Sequence, residues 1–142
     1  MIFNKIGIIT NEKKDPALQH TKNLIEYLLG IGKKIGENID IYNSETFNAE
    51  DLYKICDLFI VLGGDGTMLK IAPGASRHNI PVIGINLGRI GYMSEIEADE
   101  IELLGNLFGE NGGYEIKNRM MEHLKLFHTH LAEMFDYAAQ QR

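Results

Sequence analysis

Apolar residues along this chain recur in two patterns: short continuous runs, and longer stretches with helical spacing. Continuous apolar runs without polar alternation are typical of strands that are buried on both faces of a sheet. Such runs predict strands near 57–62 and 81–86, and the mainly apolar segment 5–10 predicts another. Alternation at 39–42 predicts a shorter strand, and a further strand is expected at 114–117.

The stretches with helical spacing lie between these runs. Asp15 followed by Pro16 predicts a helix start, because the carboxylate can cap the first turn and proline suits its first position. Gly30 and Gly32 predict the end of this helix. Further helices are predicted at 49–55, from 67 to an early end at Pro73, and at 98–108, where the acidic residues of 95–102 form a solvated start.

Alternation of strands and helices predicts an α/β fold, a three-layer Rossmann-like domain around a mostly parallel sheet. A length of 142 residues favours a single domain over 1–142. The net charge of −6 argues against broad contact with a nucleic-acid backbone, and no apolar stretch is long enough to span a membrane. Cys56 is the only cysteine, and the chain start lacks the apolar centre of a signal peptide, so we expect a cytoplasmic protein.

A segment with the sequence Leu-Gly-Gly-Asp-Gly-Thr, at 62–67, directly follows the apolar run at 57–61. Glycines let backbone amides approach a ligand closely, and amides at a helix start suit phosphate. A carboxylate would repel phosphate, so Asp65 needs another task, such as orienting a hydroxyl, accepting its proton or approaching a metal ion. An ordinary turn with a capping aspartate is the alternative. The candidate phosphate-binding residues are Gly63, Gly64, Gly66 and Thr67.

A second polar segment follows the apolar run at 81–86. Asn86 offers donors and acceptors, Arg89 can pair with phosphate, and Tyr92 can stack on a base. Each has a structural alternative: a turn cap, a solvated cation and a core residue. Because ligands of open α/β sheets bind at the carboxyl ends of the strands, we expect both segments to face one crevice. The further candidates in this segment are Gly88 and Gly91.

Together, Gly-Gly-Asp-Gly-Thr at 63–67 and Asn-Leu-Gly-Arg-Ile-Gly-Tyr at 86–92 resemble the NAD kinase family. The first motif is shared with diacylglycerol-type lipid kinases and, more loosely, phosphofructokinases, whereas the second points to NAD kinases. The resemblance covers roughly residues 1–119. It implies transfer of the γ-phosphoryl group of ATP to the 2′-hydroxyl of the adenosine ribose of NAD, giving NADP, with Mg²⁺.

The resemblance also assigns roles to single residues. Asp65 would orient the ribose hydroxyl and accept its proton, and the glycines and Thr67 would hold phosphates. Tyr92 would lie against adenine. The remaining residues that line the nucleotide site by resemblance are Asn86, Gly88, Arg89 and Gly91.

The chain departs from the family after residue 121. In the family a second, β-rich domain follows the segment similar to 114–121, whereas only 21 residues follow Met121 here. Residues 123–128 alternate like a strand and 131–138 have a helical apolar face, similar to the family's closing strand and helix. We therefore expect 123–142 to close a chain without the second domain, a divergent tail or an engineered junction being the alternative. The histidines at 123, 128 and 130 lack a converging ligand set, so no metal site is expected there.

Two other functions fit the sequence. A non-catalytic nucleotide-binding module would keep the glycine turns without the chemistry. An interaction protein, natural or an engineered domain-deleted scaffold, would keep the fold alone, and apolar surface left by the second domain could drive formation of a homo-oligomer. The expected partners are nucleotides, with neither nucleic acid nor membrane. Measuring NADP formation alongside nucleotide affinity separates these functions.

Overall fold

The computed structural model describes residues 3–87 and 96–108, in which strands and helices alternate along the chain. The strands are β1 (Lys5–Ile9), β2 (Asp40–Asn43), β3 (Leu58–Gly63), β4 (Val82–Asn86) and β5 (Ile96–Glu97). The α-helices are α1 (Gln19–Ile35), α2 (Ala49–Ile55) and α3 (Asp65–Arg77). A 3₁₀ turn spans Pro16–Leu18, and a 3₁₀ helix spans Ala98–Phe108.

The described strands form one parallel sheet in the order β2-β1-β3-β4-β5. Every residue of β3 and β4 is buried, as continuous apolar runs in a parallel sheet should be. The strands predicted near 5–10, 57–62 and 81–86 are therefore confirmed. β5 was not predicted, because a strand of two residues is too short to show a periodicity.

Two hydrophobic clusters, one on each face of the sheet, confirm the three-layer α/β architecture. Successive residues of β3 alternate between them: Leu58 and Ile60 belong to one cluster, and Phe59 and Val61 belong to the other. The first cluster includes residues of α1 and of the 3₁₀ helix, and the second includes residues of α2 and α3. A sheet with helices on both faces follows.

The predicted end of α1 at Gly30 or Gly32 is wrong, since the helix continues to Ile35. It ends at Gly36, whose φ of 73° is left-handed and whose N–H donates to the Gly32 carbonyl. A glycine inside a helix costs about 1 kcal/mol relative to alanine but does not stop the helix. Gly32 instead permits a close approach, because a Cβ there would lie 2.9 Å from the carbonyl oxygen of Glu37.

The predicted limits of α3 are also wrong. The helix begins at Asp65, not Thr67, and runs past Pro73 to Arg77. Proline lacks an N–H and disfavours a helix interior, but the buried face of α3, which includes Ile71 and Ala75, packs on the sheet. Tertiary packing therefore outweighs the local signal, as it commonly does.

Asp15 caps the start of α1, as predicted, but it lies four residues before the first residue of the helix, Gln19. Its buried carboxylate accepts hydrogen bonds from the N–H groups of His20 (2.8 Å) and Thr21 (2.9 Å) and from the Thr21 hydroxyl (2.7 Å). Pro16 begins the 3₁₀ turn instead of α1. Burial would raise the pKa of Asp15, but the hydrogen bonds from Thr21 and His20 outweigh burial and lower that pKa.

The remaining local predictions have mixed outcomes. The helix predicted at 49–55 is α2, and the segment 98–108 is helical but of the 3₁₀ type. Cys56 is a buried residue just before β3. The strand predicted at 114–117 and the closing elements predicted at 123–142 lie outside the described residues, as do the three histidines. Within the described ranges, none of the helices has the length and apolar character needed to cross a membrane.

Candidate functional site

The turn after β3 and the beginning of the segment after β4 lie side by side at the carboxyl edge of the sheet. Gly63 and Asn86 are paired in the β3–β4 register, and the N–H of Leu87 donates to the Gly63 carbonyl at 3.3 Å. Both segments therefore begin at the same edge of the sheet, and the expectation that they face one crevice stays a prediction. Four further candidates, Gly88, Arg89, Gly91 and Tyr92, lie outside the described residues, and their roles stay predictions.

Asp65 is the first residue of α3 and follows Gly64, which precedes the helix. The first N–H groups of an α-helix have no acceptor within the helix, and the N-terminus carries a partial positive charge. This end of α3 can therefore stabilise the oxygens of a phosphate group. A carboxylate is also favourable at a helix N-terminus. The position of Asp65 is therefore compatible with stabilising the start of α3 and with acting on a bound ligand.

The three glycines of this turn have different surroundings. A Cβ on Gly63 would lie 2.8 Å from the Thr67 hydroxyl oxygen, so this glycine lets the threonine side chain fold back over the turn. A Cβ on Gly64 would lie 2.7 Å from the Lys14 ammonium nitrogen. Around Gly66, no heavy atom of the described residues comes within 4 Å of such a Cβ. None of the described residues therefore blocks the approach of a ligand to the backbone at Gly66.

Asn86 is buried, with 3% of its surface exposed, at the carboxyl end of β4. Its side-chain amide donates to a carboxylate oxygen of Glu97 at 3.2 Å. Glu97 was expected in a solvated helix start, but it lies in β5, because that strand pairs Glu97 with Asn86. The hydrogen bond orients the Asn86 amide at the edge where the turn after β3 begins.

The loop after β1 also contacts this turn, and the sequence interpretation missed it. The Asn11 amide donates to the Thr67 hydroxyl at 3.4 Å, and the Lys14 ammonium lies over Gly64. The strand order explains the contact: the chain passes from β1 outward to β2, and from β3 in the opposite direction to β4. Ligands of open α/β sheets bind at such a switch point. The available signal was an amide and a cation in the polar loop directly after a predicted strand.

A cleft of about 650 Å³ lies beside the turn, at the carboxyl ends of β1 and β2, with Thr67 and Lys70 on one wall. Its volume is in the range of ligand pockets. Glu12 and Glu45 also line it, and a hydrogen bond with Glu45, together with the charge of Glu45, raises the pKa of Glu12. The charges of Glu12 and Glu45 offset those of Lys13 and Lys70, which also line the cleft. The turn, with the N–H groups of a helix start, is therefore the better phosphate site.

Comparisons with known proteins identify one matching family model and several similar proteins. Residues 6–108 match the family model described as the ATP-NAD kinase N-terminal domain. The chain is 32% identical over 133 residues to the NAD kinase of Heliobacterium modesticaldum. The alignment covers 90% of this chain and 46% of that protein. It is 34% identical over 133 residues to the NAD kinase of Ruminiclostridium cellulolyticum. That alignment covers 88% of this chain and 45% of the relative. The chain thus spans about half the length of the curated relatives that it matches.

Proposed function

This chain belongs to the NAD kinase family, and on that premise we propose that it serves phosphoryl transfer from ATP to the 2′-hydroxyl of NAD. The observation that carries the proposal is the position of Asp65, which begins α3 with only Gly64 between it and β3 and lies at the edge where β3 pairs with Asn86. A carboxylate at a helix start that suits phosphate is placed to act on a hydroxyl beside that phosphate.

In the proposed reaction, the 2′-oxygen of NAD forms a bond to the γ-phosphorus of ATP while the bond from that phosphorus to the β-phosphate oxygen breaks. ADP leaves, and the hydroxyl proton passes to the Asp65 carboxylate. Charge on the transferred group is stabilised by backbone N–H groups at the start of α3. Such transfer depends mainly on positioning and electrostatics, which the N–H groups at the start of α3 can supply for this part of the site.

The other predicted residues complete the proposed site. Gly63, Gly64, Gly66 and Thr67 would hold the phosphates. Asn86, with its amide oriented by Glu97, would contact the nucleotide. The remaining proposed contacts are Gly88, Arg89, Gly91 and Tyr92, with the tyrosine ring against adenine.

Mg²⁺ is proposed as the accompanying ion. Within residues 3–87 and 96–108, no three His, Cys, Asp or Glu side chains cluster to hold a metal by themselves. Mg²⁺ is commonly bound by substrate phosphates together with one or two carboxylates, so the phosphates of ATP would supply most of its ligands here. When bound, the ion would neutralise charge on the phosphates.

Substitution of Asp65 by asparagine tests the proposal, because it keeps the size of the side chain and removes the proton acceptor. We expect Asp65→Asn to lower the rate of NADP formation by roughly 10²–10⁴-fold. The melting temperature and the affinity for ATP, measured by calorimetric titration, should change little. Asp51→Asn is a matched control, because Asp51 lies in the first turn of α2, and turnover should not change.

Three outcomes would contradict parts of the proposal. Unchanged turnover with a lower melting temperature would restrict Asp65 to stabilising the start of α3, at a cost of about 1 kcal/mol. Binding of ATP and NAD by the unsubstituted chain without NADP formation would favour a non-catalytic nucleotide-binding module. A folded chain that binds neither nucleotide would refute a nucleotide site.

A further inference from the structure

We propose that Lys14, in the loop after β1, binds the polyphosphate of the donor nucleotide. The inference rests on the proposed function and adds a second loop to the phosphate site. Two observations carry it: the hydrogen bonds that hold the loop in place, and the position of the Lys14 ammonium over Gly64.

Asn11 organises the loop and joins it to the turn after β3. Its side-chain oxygen accepts from the N–H of Lys13 at 3.1 Å. Its backbone carbonyl accepts from the N–H groups of Lys14 and Asp15 at 3.0 Å and 2.9 Å. Its side-chain nitrogen donates to the Thr67 hydroxyl at 3.4 Å. The backbone of Lys14 is therefore positioned relative to the turn that begins α3.

The far end of the loop is also held. Asp15 is fully buried and accepts three hydrogen bonds from the start of α1. The next residues include Ala17 and Leu18, whose φ values of 58° and 54° are left-handed and disfavoured for residues with a Cβ. Backbone strain of this kind persists where the surrounding structure determines the conformation, and it concentrates at ligand-binding sites. Lys14 thus lies between two fixed neighbours.

The Lys14 ammonium lies directly over the backbone of Gly64. A Cβ on Gly64 would be 2.7 Å from the nitrogen, and this ammonium and the adjoining methylene are the only described atoms within 4 Å of that Cβ. An ammonium at this point is next to the backbone N–H groups that start α3, so one phosphate group can contact both. The alternative is a solvated lysine that passes over the glycine without binding a ligand.

Lys13 provides a matched control in the same loop. It lines the neighbouring cleft together with Glu12 and Glu45, not the surface of Gly64. Substitution of either lysine by glutamine removes one charge from the same loop. Only the substitution of Lys14 removes the charge over the turn.

The experiment is calorimetric titration of the full chain and its Lys14→Gln, Lys14→Arg and Lys13→Gln variants with ATP, tripolyphosphate and adenosine. We expect Lys14→Gln to weaken binding of ATP and tripolyphosphate about tenfold and to leave adenosine binding unchanged. Lys14→Arg should restore most of the affinity, because it keeps the charge. Lys13→Gln should change the affinity by less than about twofold, since an exposed charge away from the ligand is screened.

A second substitution tests the position of the ammonium. The backbone of Gly64, with φ −130° and ψ −166°, accepts alanine, and the new Cβ would displace the flexible end of Lys14. Gly64→Ala as a single substitution should weaken tripolyphosphate binding. In a Lys14→Gln background the further loss should be smaller, because only the effect of the methyl group on the phosphate itself remains. Fully additive losses would contradict the inferred position.

The outcomes separate this inference from the proposed function. If the unsubstituted chain binds ATP and Lys14→Gln binds it equally well, the role of Lys14 is refuted while the proposed function stands. Equal losses in the two glutamine variants would also refute it, because they would indicate a general charge effect. If the unsubstituted chain binds no ATP, the proposed function fails and the inference fails with it.

Discussion

Glycines in the interior and glycines at the carboxyl edge of the sheet do different work in this protein. A Cβ on Gly7 would lie 2.6 Å from the ring of Phe59, and a Cβ on Gly74 would overlap the ring of Tyr53. At the edge, a Cβ on Gly64 would meet only the end of Lys14, and one on Gly66 would meet nothing among the described residues. Gly7 and Gly74 make room for the protein's own rings, whereas the space over Gly66 is open among the described residues.

This difference separates two kinds of constraint that look identical in the sequence. Close packing makes the interior glycines necessary for stability, because an added methyl group has no space. Gly63 is required at the edge, because a Cβ there would lie 2.8 Å from the Thr67 hydroxyl oxygen. Gly64 and Gly66 are not required by rigid packing within the described residues, so a requirement for either would come from a ligand. Substitution of an interior glycine should therefore lower stability. Substitution of Gly66 should lower ligand affinity instead and leave stability unchanged.

The largest expected effect on stability is that of Gly74→Ala. The added methyl group would overlap the Tyr53 ring, which also stacks on His78 with centroids 5.1 Å apart. We expect a loss of about 1–3 kcal/mol in the free energy of unfolding, measured by urea denaturation. In a Tyr53→Ala background, the same substitution should cost nothing further, because the ring is gone.

Gly30→Ala is the control for helix propensity. Gly30 lies inside α1, and its Cβ would meet none of the described atoms within 4 Å. This substitution should raise the free energy of unfolding by roughly 0.5–1 kcal/mol. A stabilising effect of Gly74→Ala as well would show that the interior has more room than the described packing indicates.

A smaller effect is expected at the edge. Gly66→Ala should leave the melting temperature unchanged or slightly higher, because Gly66 is exposed in the first turn of α3. It should weaken ATP binding about tenfold, since a methyl group would stand where phosphate approaches the backbone. Titration calorimetry and thermal melting of the same samples measure both quantities. Retention of full affinity would mean that the space over Gly66 is not used.

The edge is held by hydrogen bonds, and this makes it sensitive to acid. The lowered pKa of Asp15 adds stability that is complete above its ordinary value of 3.8 and is lost as the pH falls through the folded-state value. Asp15→Asn should cost about 1–2 kcal/mol at neutral pH, because it removes hydrogen bonds to a charged group. Denaturation at several pH values should show the difference between the two proteins shrinking below pH 3.8. A constant difference would contradict the role of the carboxylate charge.

The smallest effect concerns Cys56, which borders Gly7 in the interior. Burial, with a further contribution from the charge of Asp57, raises the pKa of the Cys56 thiol to about 12. We expect a thiol reagent at pH 8 to label the native protein far more slowly than the protein in urea, because the thiolate is the reactive form. Gly7→Ala should speed native labelling, since its Cβ would lie 2.9 Å from the sulfur. Fast labelling of the unsubstituted native protein would contradict a closed interior.

Local signals predicted those elements whose ends are determined by neighbouring residues. The limits of α2 matched the prediction of 49–55: Asn48 accepts a hydrogen bond from the Asp51 N–H at 2.9 Å, which caps the helix start. The strands near 57–62 and 81–86 were predicted because burial on both faces leaves a continuous apolar run. The limits of α1 and α3 were missed, because glycine and proline signals were overcome by packing against distant residues.

The sequence by itself determined the fold class, the β3 turn with Asp65, and the position of Asn86 at the end of the next apolar run. Only the tertiary structure decided that β1 lies beside β3, which brings Asn11 and Lys14 to the turn. The physical reason is that the order of the strands depends on which face of the sheet each connecting helix covers. That choice is made by burial across the whole sheet, and no local pattern along the chain encodes it.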